Sequence, residues 1–283
     1  AYECIFYTGL MKKNILLSRI VVCVAICLGS CGKSGSELRA EDKEDGEEHT
    51  EETPSVVVPQ EGLIAWYPLD GGDSKDHTTN GNHGVSHHVT AASNRHGVYG
   101  LAARFNGENS YIDIQHKDYL SIATTGEFTV SVWMRIEALN FSRTQTSEPY
   151  VHWMGKGRNG KHEYVFRIYN KDSYRPNRIS GYVFNLPGGL GSGASFQHAL
   201  SIGEWIHICI VYDFANNTIK IYRDGTHRNT GHFTDYEVIP QMGDAPLCIG
   251  TRDFASFFKG VLDDLRIYNR ALTDEEVQQL SQE

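Results

Sequence analysis

Phe257–Leu280, FFKGVLDDLRIYNRALTDEEVQQL, is the stretch whose reading decides the fold. From Val261 to Tyr268 the apolar residues Val261, Leu265 and Ile267 fall on one face and Leu262 and Tyr268 on the other, the two-residue period of a strand in a packed sheet. Asp263 then shares a face with Val261 and Leu265, where a carboxylate is costly unless a cation, an arginine or several N–H groups meet it. Thr273 and Glu276 have capping-box spacing, and Leu272 and Val277 occupy the positions of a hydrophobic staple, so a short helix is expected to begin at Asp274.

Upstream, strand signals dominate. In Glu127–Arg135, Phe128, Val130, Val132 and Met134 alternate with Thr129, Ser131, Trp133 and Arg135. Further strands are expected at Tyr150–Met154, Glu163–Asn170, Ile179–Asn185, Trp205–Asp213 and Thr218–Arg223, the last running into the hairpin pair Asp224-Gly225. Many short strands with turn signals and one terminal helix predict an all-β fold, a two-sheet antiparallel sandwich. With 283 residues, 40% of them hydrophobic, the chain can bury a full core.

The net charge of −9 is unevenly spread: residues 33–61 hold ten carboxylates against Lys33, Arg39 and Lys43. No basic, aromatic-interleaved segment offers a grip on nucleic acid. Residues 1–10 precede Met11 and resemble no targeting segment; they read as an over-extended start. Lys12 and Lys13, the apolar run Val21–Leu28 and the sequence Leu28-Gly29-Ser30-Cys31 predict a signal peptide, the run being too short to cross a membrane. Its end resembles the lipobox of bacterial lipoproteins, which implies cleavage before Cys31, acylation of that residue and an outer-membrane anchor. Residues 32–61 form an acidic flexible tether. Acidic residues after a lipidated cysteine resemble the surface-export signal of Bacteroidetes lipoproteins, although here they begin only at Glu37. Cys209 and Cys248, the two cysteines of the folded part, read either as buried thiols or as a disulfide.

The series AWYPLDG, DHTTNGNHG, ARFNGENSYIDI, EFTVSVWMR, GEWIHICIVYD, IKIYRDG and FKGVLDDLRIYNRALTDEEV runs in order through residues 62–281. It resembles the laminin-G-like jelly rolls of the concanavalin A-like lectin/glucanase superfamily. The resemblance implies that residues 62–283 form one jelly roll whose first and last strands pair, bringing Asp70 to Asp263. Many relatives hold a structural calcium there, so the resemblance implies calcium bound by the Asp70 and Asp263 carboxylates and the Gly107 carbonyl, with Asp264 and Asp76 as further donors. The calcium-free alternative has Asp70 capping its turn and Asp263 accepting backbone N–H bonds.

The resemblance also raises glycoside hydrolysis, which needs two carboxylates flanking the bond. The glucanase relatives set theirs in a Glu-x-Asp-x-x-Glu strand, absent from residues 62–283. Gly189-Leu190-Gly191-Ser192-Gly193 only superficially resembles a nucleophile elbow and reads as a flexible loop. His87 and His88 adjoin in a loop without a fixed further ligand, which does not point to zinc. A binding role has better material. Tyr150, Trp153, Arg167, Tyr169, Tyr174, Arg178 and Tyr182 concentrate in one third of the sandwich, and flat rings with guanidinium groups are what sugar recognition uses. Trp153, Arg167, Tyr169 and Tyr174 are the ligand-binding candidates. Three roles follow as expectations: a lipid-anchored, non-catalytic module binding a glycan or other ligand at the cell envelope, a structural or adhesion protein whose partner is another envelope protein, or a divergent glycoside hydrolase.

Overall fold

Alternation in Glu127–Ile136 puts Phe128, Val130, Val132, Met134 and Ile136 into the core and Thr129, Ser131 and Trp133 on the opposite face. The computed structural model describes residues 57–145, 149–158 and 160–283, all within the unit formed by residues 52–283. The signal peptide, Cys31 and residues 32–56 of the tether lie outside the described residues.

The strands are β1 (Leu63–Tyr67), β2 (Val85–His87), β3 (Thr90–Ser93), β4 (Tyr99–Asn106), β5 (Tyr111–Ile114), β6 (Glu127–Ile136), β7 (Tyr150–Arg158) and β8 (Lys161–Tyr169). They continue with β9 (Arg178–Val183), β10 (Ser192–Gln197), β11 (Trp205–Asp213), β12 (Thr218–Arg223), β13 (Thr226–Gly231), β14 (Leu247–Ile249) and β15 (Lys259–Tyr268), before helix α1 (Asp274–Leu280). The first sheet runs β13-β12-β11-β6-β15-β4-β3, with β1 also paired to β15; the second runs β10-β9-β8-β7-β14-β5-β2. Every pairing is antiparallel.

The inner faces meet in one core: Phe128, Ile208, Ile210 and Leu265 from the first sheet pack against Trp153, Tyr164, Phe166 and Ile249 from the second. This is the expected two-sheet sandwich. At one side its sheets close on each other, because Gly231 of β13 approaches Gly193 of β10 so nearly that a Cβ at Gly231 would lie 2.1 Å from the Gly193 carbonyl. Ser192 and Gly193 therefore open a strand and do not belong to a loop, as the glycine run had led us to expect.

The first and last strands pair as expected, Ala65 opposite Ile267 and Tyr67 opposite Leu265. β15 nevertheless departs from simple alternation. Between Asp263, opposite Trp133, and Arg266, opposite Ser131, it carries one residue more than β6, and Asp264 takes the left-handed conformation at φ 47°. A bulge of this kind switches the side chains that follow to the other face. Leu262, Leu265 and Ile267 thus point into the core, whereas Val261 lies outside with Ala92 and Ala102, and Asp263 shares Val261's face but not Leu265's.

The helix matches its signals. Glu276 N donates to Thr273 Oγ1 at 3.3 Å, and Thr273 N donates to Glu276 Oε2 at 2.9 Å. Leu272, Val277 and Leu280 seal the outer face of the first sheet over Cys209, Val211, Tyr222 and Tyr268. Asp224 and Gly225, at φ 51° and 71°, make the β12–β13 turn, the positive-φ pair that an Asp-Gly hairpin needs. Cys209 and Cys248 are free and buried. Burial raises both thiols, Cys248 to about 12, so neither is a nucleophile at neutral pH.

Candidate binding cleft and an arginine clasp

The outer face of the second sheet is built by residues that alternate with the core. On β8, Tyr164, Phe166 and Ile168 face inward and Arg167 outward. Strand register sets His152, Arg167 and Ser180 side by side on β7, β8 and β9, and Ser195 of β10 stands next to Ser180. Above this row opens a cleft of about 750 Å³, bounded by Tyr150, Arg167, Arg178 and Tyr182 and by Asn229 and Tyr236 from the neighbouring edge. Its size suits a small ligand or a few sugar units, pockets of this kind holding roughly 300–1,000 Å³. Leu190, 69% exposed on the loop before β10, overhangs it.

Arg167 is the centre of the cleft. Its guanidinium carbon lies 4.4 Å from the Tyr150 ring centroid, 5.2 Å from Tyr182 and 5.7 Å from Phe184. Its Nε is buried without a hydrogen-bond partner. Arg178 is held from behind, donating from Nε to Ser195 Oγ at 2.8 Å. Asn229 Nδ2 donates to the Ser195 carbonyl at 2.9 Å, tying the first sheet's edge to the same place. Nearby, Arg252 pairs with Asp253 and contacts His162 Nδ1. Burial, followed by the charges of Arg252 and Arg167, lowers His162 to about 4; burial and the same two arginines hold His152 well below the usual histidine range. Both rings are neutral at pH 7. Asp235 is the cleft's one carboxylate among the described residues, and its Oδ2 already accepts from His232 N at 2.9 Å. The paired carboxylates of glycoside hydrolysis are not found in this cleft among the described residues.

Of the ligand candidates, Arg167 lines the open cleft. Trp153 does not: alternating with Val151 on β7, it is fully buried in the core, stacked 4.9 Å from Phe166. Tyr169 is also buried, whereas Tyr174, 62% exposed, lies outside the cleft lining with Arg175 4.8 Å from its ring. Asn229, Tyr236, Ser195 and Phe184 went unrecognised, because a pocket joined from two sheet edges leaves no local pattern. Gly193 and Gly231 were the available signal, as strand glycines mark close backbone approach.

The candidate metal residues gather only in part. Asp70, Asp263 and Asp264 border a second cleft, of about 290 Å³, together with Trp66, His77, Arg95 and Glu283. Arg95 Nη1 lies 2.7 Å from Asp263 Oδ2 and 2.8 Å from Asp264 Oδ2. Asp264 Oδ1 accepts from Trp66 Nε1 at 2.8 Å and from Arg266 Nη2 at 3.1 Å, and Arg266 Nη1 lies 2.7 Å from Glu283 Oε2. Burial and the adjacent Asp264 push Asp263 up to about 6 against the pull of Arg95. Asp70 stands exposed at the mouth, raised by desolvation, Asp264 and Asp73.

Asp76 and Gly107 lie elsewhere. The Asp76 carboxylate is consumed by the backbone N–H groups of Trp66, Thr78 and Asn82 and the Thr78 hydroxyl, at 2.8–3.0 Å. Gly107 abuts Lys259, four residues before Asp263 on β15. Calcium requires six to eight oxygen ligands, but here guanidinium groups hold the carboxylates. The donor set does not fit the expected calcium shell.

A family model for the concanavalin A-like lectin/glucanases superfamily matches residues 106–278, more than half of the chain. Among solved structures, domain 4 of an extracellular arabinanase from Geobacillus stearothermophilus, determined with arabinotriose, is 21% identical at TM-score 0.56, the match covering 79% of this chain and all of that one. The receptor-binding domain of a botulinum neurotoxin C/D mosaic is 13% identical at TM-score 0.59, covering 78% of this chain and 51% of that one, and that of serotype G is 18% identical at TM-score 0.54 over the same shares. This chain thus spans about half the length of the toxin domains. No curated protein sequence matches it. From the two-sheet architecture, the paired terminal strands and the family match, the chain belongs to the concanavalin A-like lectin/glucanases superfamily.

Proposed function

We propose that the chain is a non-catalytic glycan-binding module whose site is the cleft on the outer face of the second sheet. The observation that carries this reading is the meeting of Tyr150, Tyr182 and Tyr236 with Arg167 and Arg178 around one open cleft of sugar size. Rings supply apolar surface for a pyranose face, and guanidinium groups supply paired donors for its polar substituents. The arabinanase domain bound to arabinotriose is a fold relative consistent with this use. Glycan-array screening of wild type and Tyr182→Ala tests it: binding that the substitution abolishes supports the reading, and an array without a bound glycan rejects it.

A protein partner is the second reading. Leu190, Tyr236, Ile239 and Met242 are exposed, and the first two overhang the cleft, a combination that also suits a protein surface. The lipobox resemblance at Cys31 supports display of the module from a lipid-anchored, acidic tether at the bacterial outer membrane. Palmitate incorporation that Cys31→Ser fails to reduce would reject the anchor.

A further inference from the structure

Resting on the glycan reading, we infer that the ligand of this cleft is an anionic saccharide, whose carboxylate or sulfate group is received by Arg167 and Arg178. Among the described residues neither arginine forms an ion pair with a carboxylate, in contrast to Arg95, Arg252, Arg266 and Arg270, each of which does. Three rings flank Arg167 and attract it through cation–π contacts, but such rings accept no hydrogen bond in the guanidinium plane. Its buried Nε is left unsatisfied. A half-buried guanidinium without a counter-charge is a state that an incoming anion relieves, since a carboxylate or sulfate supplies two oxygens at the spacing of the guanidinium fork.

The surroundings strengthen the same field. Asp253 answers Arg252, while His152 and His162 are driven neutral by burial and by Arg167 and Arg252, which places the positive potential around Arg167 and not around its neighbours. Arg178, fixed through Ser195, points a second guanidinium at the same cleft, and its terminal nitrogens are committed to no side chain among the described residues. Asp235, the cleft's described carboxylate, is engaged by the backbone of His232. A neutral oligosaccharide would meet the rings and leave both charges unanswered.

Titration calorimetry of the purified protein with hexagalacturonate, a sulfated chondroitin hexasaccharide and the desulfated, carboxyl-reduced form of the latter separates the cases. The expected result is binding of at least one anionic oligosaccharide tenfold or more tighter than the neutral form, weakening as salt rises, with the preferred arm identifying carboxylate or sulfate. Arg167→Gln and Arg178→Gln should each reduce anionic affinity at least tenfold, and Arg167→Lys should restore part of it, with thermal unfolding confirming that all variants fold. Equal affinity for the neutral form, unchanged in Arg167→Gln, overturns the anion inference and leaves the glycan reading standing. Failure of these probes together with an array on which no glycan binds overturns both.

Discussion

Arg95 Nη1 lies 2.7 Å from Asp263 Oδ2, both side chains almost fully buried on the outer face of the first sheet. The same nitrogen reaches Asp264, so one guanidinium answers two adjacent carboxylates. Removing it strips Asp263 of its cation, whereas Asp264 keeps Arg266 and the Trp66 N–H, and breaking a buried pair from one side costs about 3–5 kcal/mol. Arg95→Gln should therefore lower the urea-unfolding free energy by about that much at pH 7. Asp263 is already raised to about 6 in the native state, above its unfolded value, so its own contribution is fully present below pH 4 and lost as pH rises through 6. The deficit of Arg95→Gln should shrink from pH 7 to pH 5; a pH-independent deficit would contradict this account.

Calcium should leave the melting temperature unchanged, and so should EDTA. A ligand that binds only the native state raises stability with concentration, and the oxygens of Asp263 and Asp264 are held by Arg95, Arg266 and Trp66. A calcium-dependent rise in differential scanning fluorimetry would show that the clasp opens to a metal.

Trp153→Ala should cost about 3–5 kcal/mol, the range for emptying a buried aromatic site, since Trp153 packs at the centre of the sandwich against Phe166. Its effect on ligand affinity should vanish once the unfolded fraction is accounted for, unlike that of Arg167→Gln. Unfolding curves run beside ligand titrations make the comparison.

His207 is buried with Nε2 2.8 Å from Ser131 Oγ, and burial, Arg266 and Arg95 lower it to about 3. A histidine depressed in the native state contributes stability present above its unfolded value of 6.5 and lost as pH falls towards the native value. At about 1.4 kcal/mol per unit, its share is on the order of 4 kcal/mol between pH 7 and pH 3. His207→Gln should flatten the acid limb of the stability profile over that window; an unaltered slope would exclude His207 as a source.

Thr273→Ala removes one half of the capping box and should cost about 1 kcal/mol. Because α1 covers Cys209, thiol labelling at low denaturant should accelerate in step.

Sequence periodicity was most informative where strands are regular. β6 kept its predicted faces over the eight residues Phe128–Arg135, and the Thr273–Glu276 box marked the first turn of α1. It misled at bulges. One extra residue at Asp264 reversed the face of Val261 relative to Leu265, because a two-residue period carries no record of a skipped partner. Asp263 was recognisable as a misplaced charge, and an arginine was among its expected partners. That Arg95 would be the one depended on a turn 168 residues away. Tyr150, Arg167, Arg178 and Tyr182 stand close enough along the chain to be read together, and they line one cleft, while Asn229 and Tyr236 come from an edge that only the closing of the sandwich brings near.

That closing has a consequence for how copies of the molecule meet. Where β10 and β13 press together at Gly193 and Gly231, two outermost strands cover each other, leaving no room for a foreign strand to add to either sheet on that side. Introducing alanine at Gly231 would prise the seam apart and expose two hydrogen-bonding borders at once. A methyl group there would thus turn a closed seam into a template for strand exchange between molecules.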